Sequence, residues 1–153
     1  MASVPRRIPG EATATRLSLK RLAPISGYVD GAWWPRSRDL AVEAPLVALA
    51  VSTRVGPVRQ IAFALDAWDP APRSAVIDVV GGGHAVMLLG FASQDPHVVL
   101  VTGVSDRTLG LLVVPPEASD RAGRTAMARA SRPGNAESPV ALLAAAGIRS
   151  TAG

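Results

Sequence analysis

The sequence predicts an α+β domain built on a strongly bent antiparallel sheet, or a small open barrel, of about six strands. Between residues 58 and 114, five short runs rich in Val, Ile and Leu follow one another, separated by Gly, Pro or Asp turn residues. Their connectors are too short for crossover helices, which predicts antiparallel neighbours. Helical patterns are placed outside this block, with one helix after the first strand and two at the C-terminal end.

The N-terminal region predicts a tail followed by a strand. Residues 1–12 contain prolines and a glycine without apolar periodicity, which is typical of a flexible tail. Residues 15–22 alternate apolar and polar side chains, as a strand with one solvated face does. We expect a single domain over residues 13–147 and a second flexible tail at 148–153.

A connector and the first helix are expected next. Residues 23–36 contain two prolines and two glycines, which indicate a connector. An apolar stripe over 40–52 then predicts a helix, with Ser37 as its N-cap and Asp39 in its first turn. Pro45 removes a backbone donor and clashes with the preceding turn, so the helix either begins just before it or kinks there.

The central block supplies the remaining strands. They are predicted at residues 58–65, 74–80, 84–91, 97–103 and 108–114. The glycines at 81–83 join two of them as a hairpin, because glycine reaches positive φ without a steric cost. Several strands are apolar on both faces, as in VMLLGF at 86–91. Such a sheet has to be covered on both faces or curl into a small barrel.

Two helices are expected after the prolines at 115–116. Asp120 is a suitable N-cap for a helix over 121–131. Ser138 is a suitable N-cap for a last short helix, with proline at its first position and Gly147 at its end.

Composition narrows the functional classes. The chain has 153 residues, 48% of them hydrophobic, and no cysteine. Disulfides, thiolate zinc sites and cysteine nucleophiles are therefore excluded, and a reducing compartment is permitted. The N-terminal arginines are not followed by an apolar run, and no stretch approaches the roughly 18 apolar residues of a membrane helix. We expect a cytoplasmic protein without membrane contact.

The net charge of +4 is unevenly distributed, with basic ends and a mildly acidic middle. This balance favours a solvated surface, and a nucleic-acid binder that uses both basic ends is an alternative. The predicted helix over 121–131 has a basic outer face formed by Arg121, Arg124, Arg129 and Arg132. Such a face is usually solvated, and nucleic acid or an acidic protein partner is the less favoured interpretation.

The segment DGAWWPRSRDL at residues 30–40 contains two of the three tryptophans. Adjacent side chains on extended backbone point to opposite sides, so we expect one ring in the core and the other partly exposed. The favoured structural interpretation is that both rings close an open end of the sheet beneath the helix.

The functional interpretation of this segment is a ligand site formed by Trp33, Trp34, Arg36 and Arg38. Arginines that precede a helix N-terminus can hold phosphate or carboxylate, because the helix dipole and free backbone donors also favour negative charge. In the structural alternative, the arginines pair with one of the nearby acids, which are Asp30, Asp39 and Glu43.

The segment FASQDPH at 91–97 contains Ser93, Asp95 and His97 but does not by itself indicate a hydrolase. A catalytic triad needs convergent side chains and an oxyanion hole, whereas residues this close on a turn usually bond the local backbone. We expect Gln94, Asp95 and His97 to form a polar loop near the site.

Other motifs carry weak signals. A metal shared by His84 and His97 with Asp78 or Asp95 is disfavoured, because the two histidines lack ligand spacing. Trp68, between two aspartates, is expected to anchor a long turn rather than to stack on a ligand.

DGAWWPRSRDL, FASQDPH, LLVVPP and SPVALL occur in the order found in an actinobacterial family of small uncharacterised proteins, a domain of unknown function. The chain resembles that family over residues 15–143, and DGAWWPRSRDL is the motif most specific for it. The resemblance implies an actinobacterial cytoplasmic protein and transfers no catalytic residue.

Residues able to carry out chemistry are few, with one lysine and two histidines. We therefore predict a non-enzymatic binding or regulatory module with a Trp/Arg-lined site, no cofactor and no metal. The sequence leaves the partner unidentified, and an anionic ligand or an acidic protein is compatible with it. A nucleic-acid binder is the first alternative, and a small enzyme that uses Asp95 and His97 is the second.

Overall fold

The computed structural model describes residues 14–21, 28–77 and 83–149. They form one sheet with strands β1 Leu17–Leu19, β2 Gly31–Trp33, β3 Val58–Ala64, β4 Ser74–Ile77, β5 His84–Phe91, β6 Val98–Gly103 and β7 Thr108–Val113. The helices are α1 Leu40–Val55, α2 Asp120–Ala130 and α3 Pro139–Ala145, and a 3-10 turn at Leu65–Ala67 follows β3. The predicted tails at 1–12 and 148–153 lie wholly or largely outside the described residues.

The sheet is open and mixed, in the order β1-β2-β7-β6-β3-β5-β4. β2 is parallel to β7 and β3 is parallel to β5, while the other neighbours are antiparallel. The α+β class and the two C-terminal helices are confirmed. The predicted purely antiparallel sheet is wrong, and the described residues form seven strands rather than about six.

The missed strand is β2, which lies inside the predicted connector. It has only three residues, Gly31–Trp33, too few to show an alternating pattern. Its partners are β1 and the distant β7, so nothing local marks it. As a result, the first helix follows the second strand and not the first.

The parallel pair β3–β5 arises from the connection at residues 65–73. This segment leaves room for one strand between β3 and β4. After β4 the chain turns back, and β5 occupies that place, parallel to β3. The predicted hairpin of β4 with β5 is confirmed, with Ile77 opposite His84. Of its glycine loop, residues 81–82 lie outside the described part of the chain.

The helix ends differ from the sequence prediction by one to three residues, the largest difference being α1, which ends at Val55. The side chain of Asp39 caps α1 by accepting from the Ala41 amide, so Ser37 is not the cap. Ser119, one residue before the predicted Asp120, caps α2. Ser138 caps α3 as predicted, and α1 begins at Leu40 and includes Pro45.

Two separate cores lie on the two faces of the sheet. On the first face, α1 packs across β3, β4 and β6, with Val47, Val51 and Ile61 fully buried. On the second face, α2 packs on β1 and β2, and α3 packs beside α2, burying Leu112 and Leu143. None of the described helices has the length and apolar character to cross a membrane.

A bidentate ion pair links α2 to the segment that precedes α3. The Arg129 guanidinium donates to both Glu137 carboxylate oxygens, at 3.1 and 2.8 Å. Hydrogen bonds from Arg129, and next from Asn135, lower the pKa of Glu137 from its ordinary value. Arg124 pairs with Asp120 at 3.2 Å, but both of those side chains are about three-quarters exposed.

We predict that Arg129→Ala destabilises the fold at neutral pH but not in acid. Because the folded-state pKa of Glu137 is lowered, the pair stabilises the fold above the unfolded value of about 4.3. This contribution is lost as the pH falls through the folded-state pKa, so the difference in melting temperature from wild type should shrink. The matched control is Arg124→Ala on the same helix, where an exposed pair contributes little at any pH. Equal pH dependence of the two variants would contradict the prediction.

Candidate functional site

Trp33 is the inner anchor of the first face. Its side chain is 1% exposed and belongs to the core beneath α1. Its ring stacks on the Trp68 ring, with centroids 5.5 Å apart and planes inclined by 22°. Trp68 is itself 6% exposed, so the prediction that it anchors the turn after β3 is confirmed.

Trp34 is the inner anchor of the second face. The Arg16 guanidinium lies 3.8 Å from its ring centroid, a cation–π contact. Its indole Nε1 donates to the Pro115 carbonyl at 3.0 Å. The ring also touches α2 at Gly123, where a Cβ would overlap the indole. Because Gly123 has no side chain, α2 can pack directly against the Trp34 ring.

The expectation that one of the two tryptophans is partly exposed is wrong. They do point to opposite faces, but Trp34 is only 4% exposed, because α2 covers it. Arg16 holds the end of β2 with further bonds to the Trp34 and Pro35 carbonyls. Burial, with the nearby Arg36 charge, lowers the pKa of Arg16 from its ordinary value. The Trp33 and Trp34 rings are therefore part of the interior, and little of their surface is accessible to a ligand.

Arg36 and Arg38 separate after β2. Arg36 donates from Nη1 to the Ala14 carbonyl at 2.6 Å, and its backbone amide donates to Glu43. Arg38 donates to the Ala67 carbonyl at 3.0 Å and forms an ion pair with Glu117 at 3.1 Å. The ion pair of Arg38 is thus made with an acid from the other half of the chain, not with one of the neighbours considered above.

Arg38 lies at a pocket of about 1050 Å³ on one edge of the sheet. β2, β3, β5 and β7 run in the same direction, so their carboxyl ends meet at this edge. In open sheets with parallel strands, ligands commonly bind in the crevice beyond these ends. The polar lining is supplied by Arg38, Asp66, Gln94, His97, Glu117, Ser119 and Arg149, and the apolar lining includes Ala64, Val113, Ala122, Leu143 and Ile148.

Three of the predicted site residues therefore line one pocket, namely Arg38, Gln94 and His97. Gln94 donates from Nε2 to the Ala62 and Val98 carbonyls, which fixes the loop between β5 and β6. Asp95 accepts the His97 amide at 2.8 Å, as a local turn residue does. Neither Trp33, Trp34 nor Arg36 lines the pocket.

The other candidate groups are not brought together. His84 begins β5 and bonds to the Val58 carbonyl, whereas His97 follows the far end of that strand, so they cannot share a metal. Asp78 is outside the described residues, among which no cluster of three or more His, Asp or Glu is placed to hold a metal.

The predicted basic face of α2 is partly neutralised. Two of its four arginines are held in ion pairs, Arg124 by Asp120 and Arg129 by Glu137. Arg121 is exposed on α2, and Arg132, also exposed, lies beyond the helix, which ends at Ala130. A continuous positive stripe, which binding to a nucleic-acid backbone favours, is therefore not formed by these four side chains.

The sequence prediction missed the rest of the lining. Asp66, Glu117 and Arg149 come from three different connections and have no shared spacing that could mark them. The one local signal was the turn at 115–116, which places Glu117 and Ser119 just before α2.

Residues 16–130 match the model of DUF5994, a family of unknown function, and the chain belongs to that family. The match spans the sheet, α1 and α2, while α3 lies beyond it. Comparisons with curated proteins and with solved structures each gave no match. The expected family of uncharacterised domains is thus confirmed.

We predict that Gly123→Ala destabilises the protein, although the same exchange at an open helix position stabilises by about 0.5–1 kcal/mol. The new methyl group would overlap the Trp34 ring, and overpacking of this kind typically costs about 1–3 kcal/mol. Urea denaturation measures the free energy of unfolding.

The matched control is Thr125→Ala on the exposed side of α2, which we expect to be neutral or slightly stabilising. A Gly123→Ala variant as stable as this control would show that α2 does not lie against Trp34.

Proposed function

We propose that this chain is a cytoplasmic, non-enzymatic binding or regulatory module that holds a small organic acid in the pocket beside Arg38. The observation that carries the proposal is the pocket at the shared carboxyl ends of β2, β3, β5 and β7, with an arginine from the DGAWWPRSRDL segment on its wall. Its volume of about 1050 Å³ suits a small molecule rather than a polymer.

The lining supports an amphipathic anion. Val113, Leu143 and Ile148 supply an apolar wall, against which a hydrocarbon or aromatic body can pack. Arg38 supplies a guanidinium fork suited to a carboxylate. Its present partner Glu117 is 71% exposed, so a ligand carboxylate can replace that side chain at little cost.

The tryptophans have a supporting role in this proposal. Trp33 stacks on Trp68, and Arg38 bonds to the Ala67 carbonyl, so the first-face core and the pocket wall share one turn. Of the four residues predicted for the Trp/Arg-lined site, the proposal therefore keeps only Arg38 as a ligand-binding residue. A catalytic role for Asp95 and His97 is less favoured, because the Asp95 carboxylate is engaged in the turn.

Two further parts of the proposal rest on the sequence. An actinobacterial origin, with DGAWWPRSRDL as the family signature, comes from the resemblance over residues 15–143. The cytoplasmic location is the expectation from the sequence, with which the absence of cysteine is compatible. Nucleic acid is not favoured as a partner, since two of the three α2 arginines, Arg124 and Arg129, are already held in ion pairs.

We predict opposite effects of two substitutions on the binding of benzoate and octanoate. Glu117→Gln removes the internal competitor for Arg38 and should raise the affinity for these carboxylates, whereas Arg38→Gln should lower it by about tenfold or more, as loss of a charge-assisted hydrogen bond does. The neutral amides benzamide and octanamide should bind weakly and be insensitive to both changes. Titration of amide chemical shifts by NMR gives each affinity and the location of binding.

Pocket-filling variants supply the structural control. Ala122→Trp places a large ring in the pocket from α2 and should abolish binding, while Ala128→Trp on the exposed side of the same helix should not. If no carboxylate shifts resonances of the pocket lining, or if Arg38→Gln and Glu117→Gln act alike, the proposed ligand class is wrong.

A further inference from the structure

The second face of the sheet is covered at one end only. α2 lies over β1 and β2 with α3 beside it, and the core that they bury reaches Leu112 of β7 and Val98 at the start of β6, but it includes no described residue of β3, β5 or β4. We use the name open face for the apolar side chains there, which are Val76, Met87, Leu89, Phe91 and Leu100, with Ala62, only 6% exposed, between them. Val76 is 65% exposed, Met87 51%, Phe91 47% and Leu100 39%.

The open face is continuous across four strands. Ala62 lies opposite both Leu89 and Leu100, so one apolar row crosses β5, β3 and β6. Met87 and Phe91 flank that row along β5, and Val76 adds β4 at the edge of the sheet. Apolar residues on both sides of β5 predict a strand covered on both faces, yet the described chain covers one.

The size of this face is in the range of interaction surfaces. Four strands about 4.8 Å apart, each contributing about six residues of 3.3 Å, span roughly 20 by 20 Å, or about 400 Å². Exposed apolar patches of this size on soluble proteins are often functional. Two such faces packed together would bury about 800 Å² in total, which is below the standard interface of about 1,600 Å² and corresponds to a weak, transient dimer.

The charge of the open face restricts the partner. The polar positions between its apolar side chains are uncharged, as Gln60 and Thr102 show. The chain carries a net charge of +4, but none of the described strand residues that point to the open face is charged, and Arg59 at its rim is paired with Asp106. A nucleic acid or an anionic membrane would be bound through cations. Because the open face is uncharged, two copies of it can pack together without repulsion between like charges.

We propose that the open face packs against the open face of a second copy of this chain. Two sheets stacked in this way lie about 10 Å apart, with their strands within about 30° of each other. A two-fold axis makes the contact self-complementary. Met87 and Phe91 are the central anchors, because a flexible thioether and an aromatic ring fill the irregular space between facing sheets.

Sedimentation velocity of the full chain over micromolar to near-millimolar concentrations tests this interface. Wild type should dimerise, and Met87→Glu and Val76→Glu should each weaken the dimer at least tenfold, since the two-fold axis brings two new charges together. The matched control is Val42→Glu on α1, which is 56% exposed on the other side of the molecule and should leave the dimer unchanged. A wild type that stays monomeric, or a dimer that survives both open-face substitutions, overturns the proposal.

The absence of cysteine allows the contact to be mapped. The Met87→Cys variant carrying a nitroxide spin label is mixed with isotope-labelled wild type. The paramagnetic broadening of the NMR resonances of the wild-type chain is then measured. Broadening of the Leu89 and Leu100 resonances, and none from a label at Val42→Cys, supports face-to-face packing. Broadening confined to the amides of β4 would mean pairing of sheet edges instead and would overturn the proposal.

Discussion

Two adjacent tryptophans at the end of β2 bind both helical layers to one short strand. Trp33 lies under α1 and Trp34 under α2, so a three-residue strand is anchored from both sides. A fully buried tryptophan removes something like 150–250 Å² from water, which corresponds to roughly 4–6 kcal/mol of transfer free energy. That is large compared with the few backbone hydrogen bonds that β2 can make. The strand pairing β1-β2-β7 therefore depends on these side chains more than on local backbone preference.

The pocket follows from the same constraint. Beyond Trp34 the chain turns through Arg36 and Arg38 into α1, and Arg38 reaches across to the loops after β3 and β7. The tryptophan pair sets where this turn begins, and the parallel directions of β2, β3, β5 and β7 bring their carboxyl ends to the same edge. The segment DGAWWPRSRDL thus has two roles. Its tryptophans anchor β2 in the interior, and Arg38, which follows them, lines the pocket.

Local patterns predicted the parts of the fold that local physics determines. β5 was predicted residue for residue, and Ser138 was correctly identified as a cap, because alternation and capping act over a few neighbours. β2 was missed since its pairing with β7 is long-range. Burial of both tryptophans was the favoured structural interpretation, but the covering of Trp34 by α2 was not foreseen, because it depends on Gly123 some ninety residues later. Of the pocket, Arg38, Gln94 and His97 were named from residue type, but their proximity is a property of the sheet order.

The central claim is that the adjacent tryptophans are interior anchors and not a ligand platform, and acrylamide quenching of native tryptophan fluorescence tests it most directly. All three tryptophans are buried, at 1%, 4% and 6% exposure. The account predicts weak quenching without an accessible component, rising to the level of a free indole only in denaturant. A native component quenched as strongly as the unfolded chain would contradict it, because one ring would then lie at the surface.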